Sequence, residues 1–344
     1  HINDSPMLAD SLNAFYNNST DWQSYFYRPT VNNSQNVNIS GGDQAFNYKV
    51  NTGYYDENGI IKNTGFTRYS LQMNMQYMPS SKFRLMAYLN SSLAKNSTGS
   101  GNALQQSGVG SSANTSSLLP SPSLFTGSSD ALAALNVLND SKTGNLSSQV
   151  EIQYEPIPGV RASSTLNYNY LRGTQDRFTQ GALNADKSEV YSYNDRTNTL
   201  YNRNLLAYNK TFAEKHNLSV YGFAEFEVVN KRGDEMSITG TPNDQITVGL
   251  GYDTRNQKGG TLYKITQEKR TVGYAGSFSY NYNEKYYIDF TYRVDGTSTT
   301  GGLNPWTYLP TGGLRWNFSN EKFAENWDWL SLGSIRGTWG KNII

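Results

Sequence analysis

The chain has 344 residues, a formal net charge of +1, 36% hydrophobic residues and no cysteine. The near-zero charge argues against a nucleic-acid partner, which would need a basic surface. The lack of cysteine excludes disulfide scaffolds and thiolate metal sites. No run approaches the roughly 18 apolar residues that a membrane helix requires, so a helical membrane protein is excluded as well.

Tyrosine and glycine are abundant, with 26 and 31 residues respectively. A tyrosine ring with its polar tip suits strand ends at a membrane–water interface. The same composition is typical of carbohydrate-binding β-proteins, so composition alone leaves both classes open. The chain begins with "HINDSPMLAD", which has neither a basic nor an apolar leader region. We therefore expect an internal piece of a longer protein.

Strands are predicted from period-2 alternation, which is cleanest in "YSLQMNMQY". Its apolar side chains all point to one face, and Ser, Gln and Asn occupy the other. The apolar set is Tyr69, Leu71, Met73, Met75 and Tyr77. Similar alternation recurs about twelve times in all. The other clear segments lie near 45–55, 82–93, 145–154, 160–170, 218–228, 274–282 and 286–295.

The connections between these segments alternate between short and long. Short ones include "GGDQ", "MPSS", "EPIPG", "AEKH" and "YNEK". The long ones cover 56–65, 94–144, 173–198, 230–268 and 296–305. A Greek-key sandwich gives no reason for this regularity, whereas an outer-membrane barrel has short periplasmic turns and long external loops. The sequence therefore predicts an all-β transmembrane antiparallel barrel whose apolar face meets lipid.

Charged side chains within the predicted strands support the same class. They are Glu225, Glu227, Asp289, Arg293 and Asp295. Burial in a soluble core would cost several kcal/mol for each of them. In a wide barrel they face a hydrated lumen, where this cost is small. The alternative is that they lie on the solvent-exposed face of an open sheet.

No catalytic, cofactor or metal site is predicted, and substrate-binding residues are left unknown. The only histidines are His1 and His216, too few for a typical zinc or iron centre. We interpret His216 as a turn residue. The segment 130–140 has helix-like leucine spacing, and we interpret it as a short loop helix that packs on its own loop or contacts a partner.

Five motifs together resemble the SusC/RagA family of TonB-dependent outer-membrane transporters from Bacteroidota. They lie in "TDWQSYFYRPTVNNSQNVNISGG" (20–42), "YKVNTGYYDENGIIKNTGFTRYSLQMNM" (48–75), "YNYNEKYYIDFTYRVDGTS" (280–298), "WTYLPTGGLRWNFSNEKF" (306–323) and "DWLSLGSIRGTWGKN" (328–342), in the family's order. They cover about a third of the chain and bracket nearly all of it. Any one of them alone would be a weak signal.

The resemblance implies a barrel of 22 strands around an N-terminal plug, of which this chain would supply about 12 strands and no plug. We expect residues 1–33 to be a loop leading into the barrel, and residues 34–344 to form its central part. The predicted extracellular loops are 94–144, 173–198 and 230–268.

The resemblance also implies TonB-dependent import of a glycan or peptide, without enzymatic activity. The implied partners are a SusD-like surface lipoprotein, outer-membrane lipid, and the TonB–ExbB–ExbD system acting through parts absent from this chain. The alternatives are a passive porin-like barrel and a soluble carbohydrate-binding β-protein. A small porin would close on itself by pairing residues near 36–40 with residues near 332–340. A transporter arc would keep these edges apart.

Overall fold

The computed structural model describes residues 24, 27–99, 135–184, 187–240, 245, 247, 260–300, 305–324, 326–327 and 329–341. These residues form one sheet of twelve antiparallel strands, in which each strand pairs with the next along the chain. The strands are β1 Asn33–Gly42, β2 Phe46–Asn58, β3 Gly65–Ser80, β4 Phe83–Ser97, β5 Leu138–Ile157, β6 Val160–Thr179, β7 Glu189–Phe212, β8 His216–Thr239, β9 Gly260–Tyr282, β10 Tyr286–Thr297, β11 Trp306–Trp316 and β12 Ile335–Gly340. Both the all-β class and the predicted strand number are confirmed. Among the described residues, no helix has the length and apolar character needed to cross a membrane.

The two edge strands do not pair with each other. Within the described part of the chain, β1 pairs with β2 and β12 pairs with β11. The sheet order runs from β1 to β12 without closing. The pairing of 36–40 with 332–340 that a small closed barrel needs is therefore not present.

The strand register collects the apolar side chains on one face of the whole sheet. Met73 lies opposite Val50 on one side and Leu89 on the other. This face is strongly exposed, with Leu206 at 58% and Leu314 at 63% of full exposure. Such a continuous apolar surface is stable when lipid covers it. The predicted alternation in β3 is confirmed, and we call this side the lipid face.

Two aromatic belts border the lipid face. The inner belt, next to the short turns, contains Phe46, Tyr77, Phe83, Tyr154, Phe212, Tyr282, Tyr286 and Trp316, and the outer belt contains Tyr54, Tyr69, Tyr168, Phe226, Tyr274, Trp306 and Tyr308. Tyr69 and Tyr77 are eight positions apart on β3, and a tilted membrane strand needs about 9–11 residues. The belts therefore mark the two interfaces of the bilayer.

Several strands extend far beyond the outer belt. Strands β7 and β8 each have 24 residues, more than twice the length that a bilayer crossing needs. The predicted bounds of the long loops were therefore wrong: strand structure covers 94–97 and 138–144 of the first, 173–179 and 189–198 of the second, and 230–239 and 260–268 of the third. Above the membrane no lipid selects one apolar face of a strand, so backbone pairing continues without strict apolar alternation.

The helix predicted over 130–140 is also corrected. Leu138 begins β5, and residues 135–136 form a turn. Residues 130–134 lie outside the described residues. The leucine spacing was misleading because Leu138 lies on a strand that pairs with Phe178 of β6.

Two short turns share one geometry. Ala213 and Glu214 both have positive φ, as do Asn283 and Glu284. Positive φ at both central residues is the type I′ pattern, whose twist matches that of the flanking strands. These turns join β7 to β8 and β9 to β10, and they hold the inner ends of four long strands in fixed register.

The connection between β11 and β12 is held against this inner rim by Glu321. The carboxylate accepts hydrogen bonds from Tyr286 Oη at 2.6 Å and Trp316 Nε1 at 3.4 Å, and pairs with Lys285 Nζ at 2.9 Å. The Tyr286 hydroxyl, followed by Lys285, lowers the pKa of Glu321 to about 2 from an ordinary value of 4.5. The connection is thereby anchored to the β9–β10 turn.

We expect this anchor to depend on pH. Because the pKa of Glu321 is lower in the folded protein, its contribution is complete above pH 4.5 and is lost as the pH falls towards 2. Hydrogen-exchange protection of residues 317–334 should fall across this window. Glu321→Gln should lower protection at neutral pH and remove the pH dependence. The same pH dependence in Glu321→Gln would contradict the assignment.

Candidate functional site

The polar face of the sheet carries all five charged residues that the sequence assigns to the lumen. Glu225 pairs in register with Gly273, which pairs in turn with Asp295. Asp289 lies opposite Gly313. None of them lies on the lipid face, and we call the opposite side the luminal wall.

A cluster of four side chains forms the most highly connected part of this wall. Arg293 donates from Nη2 to Glu225 Oε1, and from Nε to both carboxylate oxygens of Asp295 at 2.8 and 2.9 Å. Tyr201 donates its hydroxyl proton to Glu225 Oε2 at 2.9 Å. We call Tyr201, Glu225, Arg293 and Asp295 the luminal charge cluster. It joins β7, β8 and β10 across the intervening β9.

Gly273 of β9 leaves the space in which this cluster forms. A Cβ atom at this position would lie 2.9 Å from Glu225 Oε1 and 3.0 Å from Asp295 Oδ1. Real Cβ atoms are hardly ever so close, and one of the carboxylates would have to move. The glycine therefore lets side chains from β8 and β10 meet over the strand between them.

Aromatic contacts extend the cluster along β7 and β8. The Arg203 guanidinium lies 4.4 Å from the Phe223 ring centroid, and that of Arg293 lies 5.6 Å from the same ring. Both distances are within the range of cation–π attraction. Nε of Arg203 is buried without a hydrogen-bond partner. The cluster and the aromatic ring beside it thus offer fixed charge and an aromatic surface.

A second polar region lies at the other end of the arc, on β2–β5. A depression of about 330 Å³ is lined by Lys49, Asn74, Tyr88, Gln149 and Glu151, among others. Side-chain amides supply both donors and acceptors. This part of the wall is suited to hydrogen bonding with a neutral polar molecule.

Above the membrane, the luminal wall continues as the inner face of the extended strands. Arg177 pairs with Glu189 at 3.1 Å and lies 5.2 Å from the Tyr191 ring centroid. Partial burial, followed by the nearby Glu235 carboxylate, raises the pKa of Tyr191 above its usual value of 10. Its phenol therefore remains a neutral hydrogen-bond donor at physiological pH. Charged and aromatic side chains thus line the external opening.

The structure brings together residues that the sequence only placed on one face. Glu225, Arg293 and Asp295 were predicted to line the lumen, but their mutual contacts were not. Tyr201 and Arg203 were missed, because "YNRNLL" on β7 has polar residues on both faces. No apolar–polar alternation in this stretch marks them as luminal.

His216 is the first residue of β8, and its ring is held by contacts with neighbouring aromatic side chains. Its Nδ1 lies 2.7 Å from the Tyr280 hydroxyl, and its ring stacks with Phe212. His1 lies outside the described residues. In the described part of the chain, no three His, Asp or Glu side chains are grouped as they would be around a metal ion.

The lipid face, the two aromatic belts and the polar luminal wall together define an outer-membrane β-barrel protein. No protein-family model matches the chain. The TonB-dependent receptor P3 of Formosa agariphila is 24% identical over 349 residues, and the TonB-dependent receptor SusC of Bacteroides thetaiotaomicron is 27% identical over 364 residues. Each match covers 94% of this chain and 34% of the relative.

Solved structures show the same fold. The RagAB peptide transporter superposes with a TM-score of 0.67 at 18% identity, covering 94% of this chain and 38% of that one. The RagAB peptide importer in its open-open state gives a TM-score of 0.69. The resemblance to SusC/RagA-type TonB-dependent receptors is thereby confirmed. The chain spans about a third of the length of the curated relatives it matches.

Proposed function

We propose that this chain is the central barrel segment of a TonB-dependent importer, which moves a glycan or a peptide across the outer membrane. Its main support is similarity to TonB-dependent receptors along 94% of the chain, together with a polar luminal wall. In this proposal residues 1–33 lead into the barrel and residues 34–344 form its wall. The chain binds and conducts its substrate and catalyses no reaction.

The luminal wall supports a role in conduction rather than in stability alone. Arg293 is held by two carboxylates, so the wall has fixed charges that need no rearrangement when a polar substrate passes. The amide-lined depression on β2–β5 adds donors and acceptors at the other end of the arc. A neutral oligosaccharide and a peptide backbone both match this chemistry.

We further propose a SusD-like lipoprotein as partner at the extracellular ends of the strands. The relatives include a protein named SusC, and the structural neighbours include a complex named RagAB. Strands β5–β9 extend well above the outer belt, which gives a lid protein a rigid rim to rest on. TonB would act through parts of the protein outside this chain.

Energy dependence is the direct test of this function. Uptake of labelled oligosaccharide and peptide mixtures should be measured in the producing bacterium, with and without the gene and with and without TonB. We expect uptake of either the oligosaccharides or the peptides to require both the gene and TonB. Uptake that needs the barrel but continues without TonB would instead establish a passive porin.

The longest external connection is expected to carry recognition, since loops on a rigid scaffold commonly do so. Deleting residues 100–117 leaves β4 and β5 complete, because these strands end at Ser97 and begin at Leu138. We expect normal barrel assembly but weaker substrate uptake or lipoprotein association. Deletion of residues 248–259, which lie between the end of β8 at Thr239 and the start of β9 at Gly260, serves as the comparison. Full uptake and partner binding after the first deletion would show that the loop is dispensable.

A further inference from the structure

The lipid face carries a groove at the level of the outer aromatic belt, between β3 and β7. Its volume is about 760 Å³. Tyr69 and Leu93 form its apolar side and are 56% and 61% exposed. Lys142 and Arg172 form its basic side. We call this feature the outer groove.

Gly144 of β5 is part of the outer groove. It lies opposite Leu93 of β4 and Arg172 of β6. A larger residue at this position would place its side chain between the apolar side and the basic side. A Cβ atom at this position would meet Leu93 Cδ2 at 3.2 Å. The recess therefore exists because residue 144 is a glycine, which has no side chain to fill it.

The basic side of the outer groove makes no direct ion pair within the described part of the chain. Arg172, Arg196 and Arg232 lie directly opposite one another on β6, β7 and β8. Like charges in this register destabilise a sheet. All three are exposed, and no ion pair links any of them, or Lys142, to another described residue.

The described lining of the groove contains three basic residues, Lys95, Lys142 and Arg172, and one acidic residue, Asp176. Asp140 pairs with Lys95 at 2.9 Å and accepts a hydrogen bond from Ser97. Asp176 accepts a hydrogen bond from Ser192 at 2.9 Å and offsets one of the two remaining positive charges. The groove therefore has an excess of positive charge. This charge lies at the height where lipid headgroups meet the protein.

We propose that the outer groove binds a phosphate-bearing lipid of the outer leaflet. Arg172 and Lys142 contact the phosphate, since a guanidinium group binds phosphate in a bidentate manner. The acyl chains lie on Tyr69 and Leu93 and continue down the lipid face. The bound anion also relieves the repulsion between Arg172 and Arg196.

Lipid binding to the purified full-length protein tests this site. Native mass spectrometry should compare lipid A that carries its phosphate with the same lipid A after enzymatic dephosphorylation. We expect the phosphorylated form to bind, and the double variant Lys142→Gln/Arg172→Gln to bind it roughly 30-fold more weakly. The matched control Lys82→Gln/Lys210→Gln removes the same charge near the opposite rim and should bind normally. Equal binding by the two double variants would overturn the proposal.

Two further measurements separate the groove from a merely basic surface. Gly144→Leu fills the recess without changing any charge, and it should also weaken lipid binding. Unchanged binding in this variant, or equal binding of the dephosphorylated lipid, would overturn the site as proposed. Displacement of the lipid by an equimolar amount of inorganic phosphate would show that the groove holds free phosphate instead. Heat-modifiable migration on gels confirms that each variant is a folded barrel.

Discussion

Replacing Met73 with arginine is expected to destabilise the folded barrel by roughly 2–4 kcal/mol. Met73 lies four residues from each of Tyr69 and Tyr77, at the middle of the lipid-spanning part of β3. Its neighbours across the strands are Val50 and Leu89. An arginine here has no partner, and its charge has to reach water past an apolar surface. Chemical unfolding of the full-length barrel in lipid measures the loss.

The adjacent position supplies the control. Asn74 lies on the luminal wall, opposite Lys49 and Tyr88. An arginine at this position faces water, and its repulsion from Lys49 is expected to cost less than about 1 kcal/mol. Equal destabilisation by Met73→Arg and Asn74→Arg would show that β3 does not separate lipid from lumen.

Replacing Arg293 with glutamine is expected to cost roughly 1–3 kcal/mol of barrel stability. The change leaves Glu225 and Asp295 facing each other over Gly273 without their shared cation. The lower part of this range is expected, because the Arg293 side chain is 37% exposed and water screens the two carboxylates. Unfolding measurements at neutral pH provide the value.

Two comparisons isolate the cluster. Arg161→Gln removes an exposed arginine from the same wall and should cost little. Glu225→Gln combined with Arg293→Gln should cost less than the two single changes added together, because the double variant leaves one carboxylate, Asp295, without its cation instead of two. An Arg293→Gln cost no greater than that of Arg161→Gln would mean that the cluster has no structural role. In that case the uptake assay alone would decide its importance for transport.

The sequence predicted the strands well where lipid touches them and poorly above the membrane. In β3 each apolar residue must reach lipid and each polar residue must reach the lumen, so the alternation is strict. In β7 the stretch 189–198 lies beyond the outer belt and is half-buried on both faces for most of its length, and no strict hydrophobic alternation distinguishes it from a loop. The predicted loops were too long for this physical reason.

The luminal charge cluster was only partly predictable. Glu225 and Arg293 are 68 positions apart. The sequence shows only that each of them lies between apolar neighbours in a predicted strand. Their contact depends on the register of three strands and on the space at Gly273. A shift of one residue in any of these strands would turn one partner towards lipid.

Alternation and loop lengths in the sequence thus determined the class of the protein and the side of each strand that faces lipid, because a bilayer accepts only one arrangement of polar and apolar side chains. The tertiary structure decided which residues meet across strands. It grouped Tyr201, Glu225, Arg293 and Asp295 on the luminal wall, and it placed Arg172 beside Arg196 on the lipid face. These groupings arise from register, which backbone pairing fixes between residues far apart in the chain.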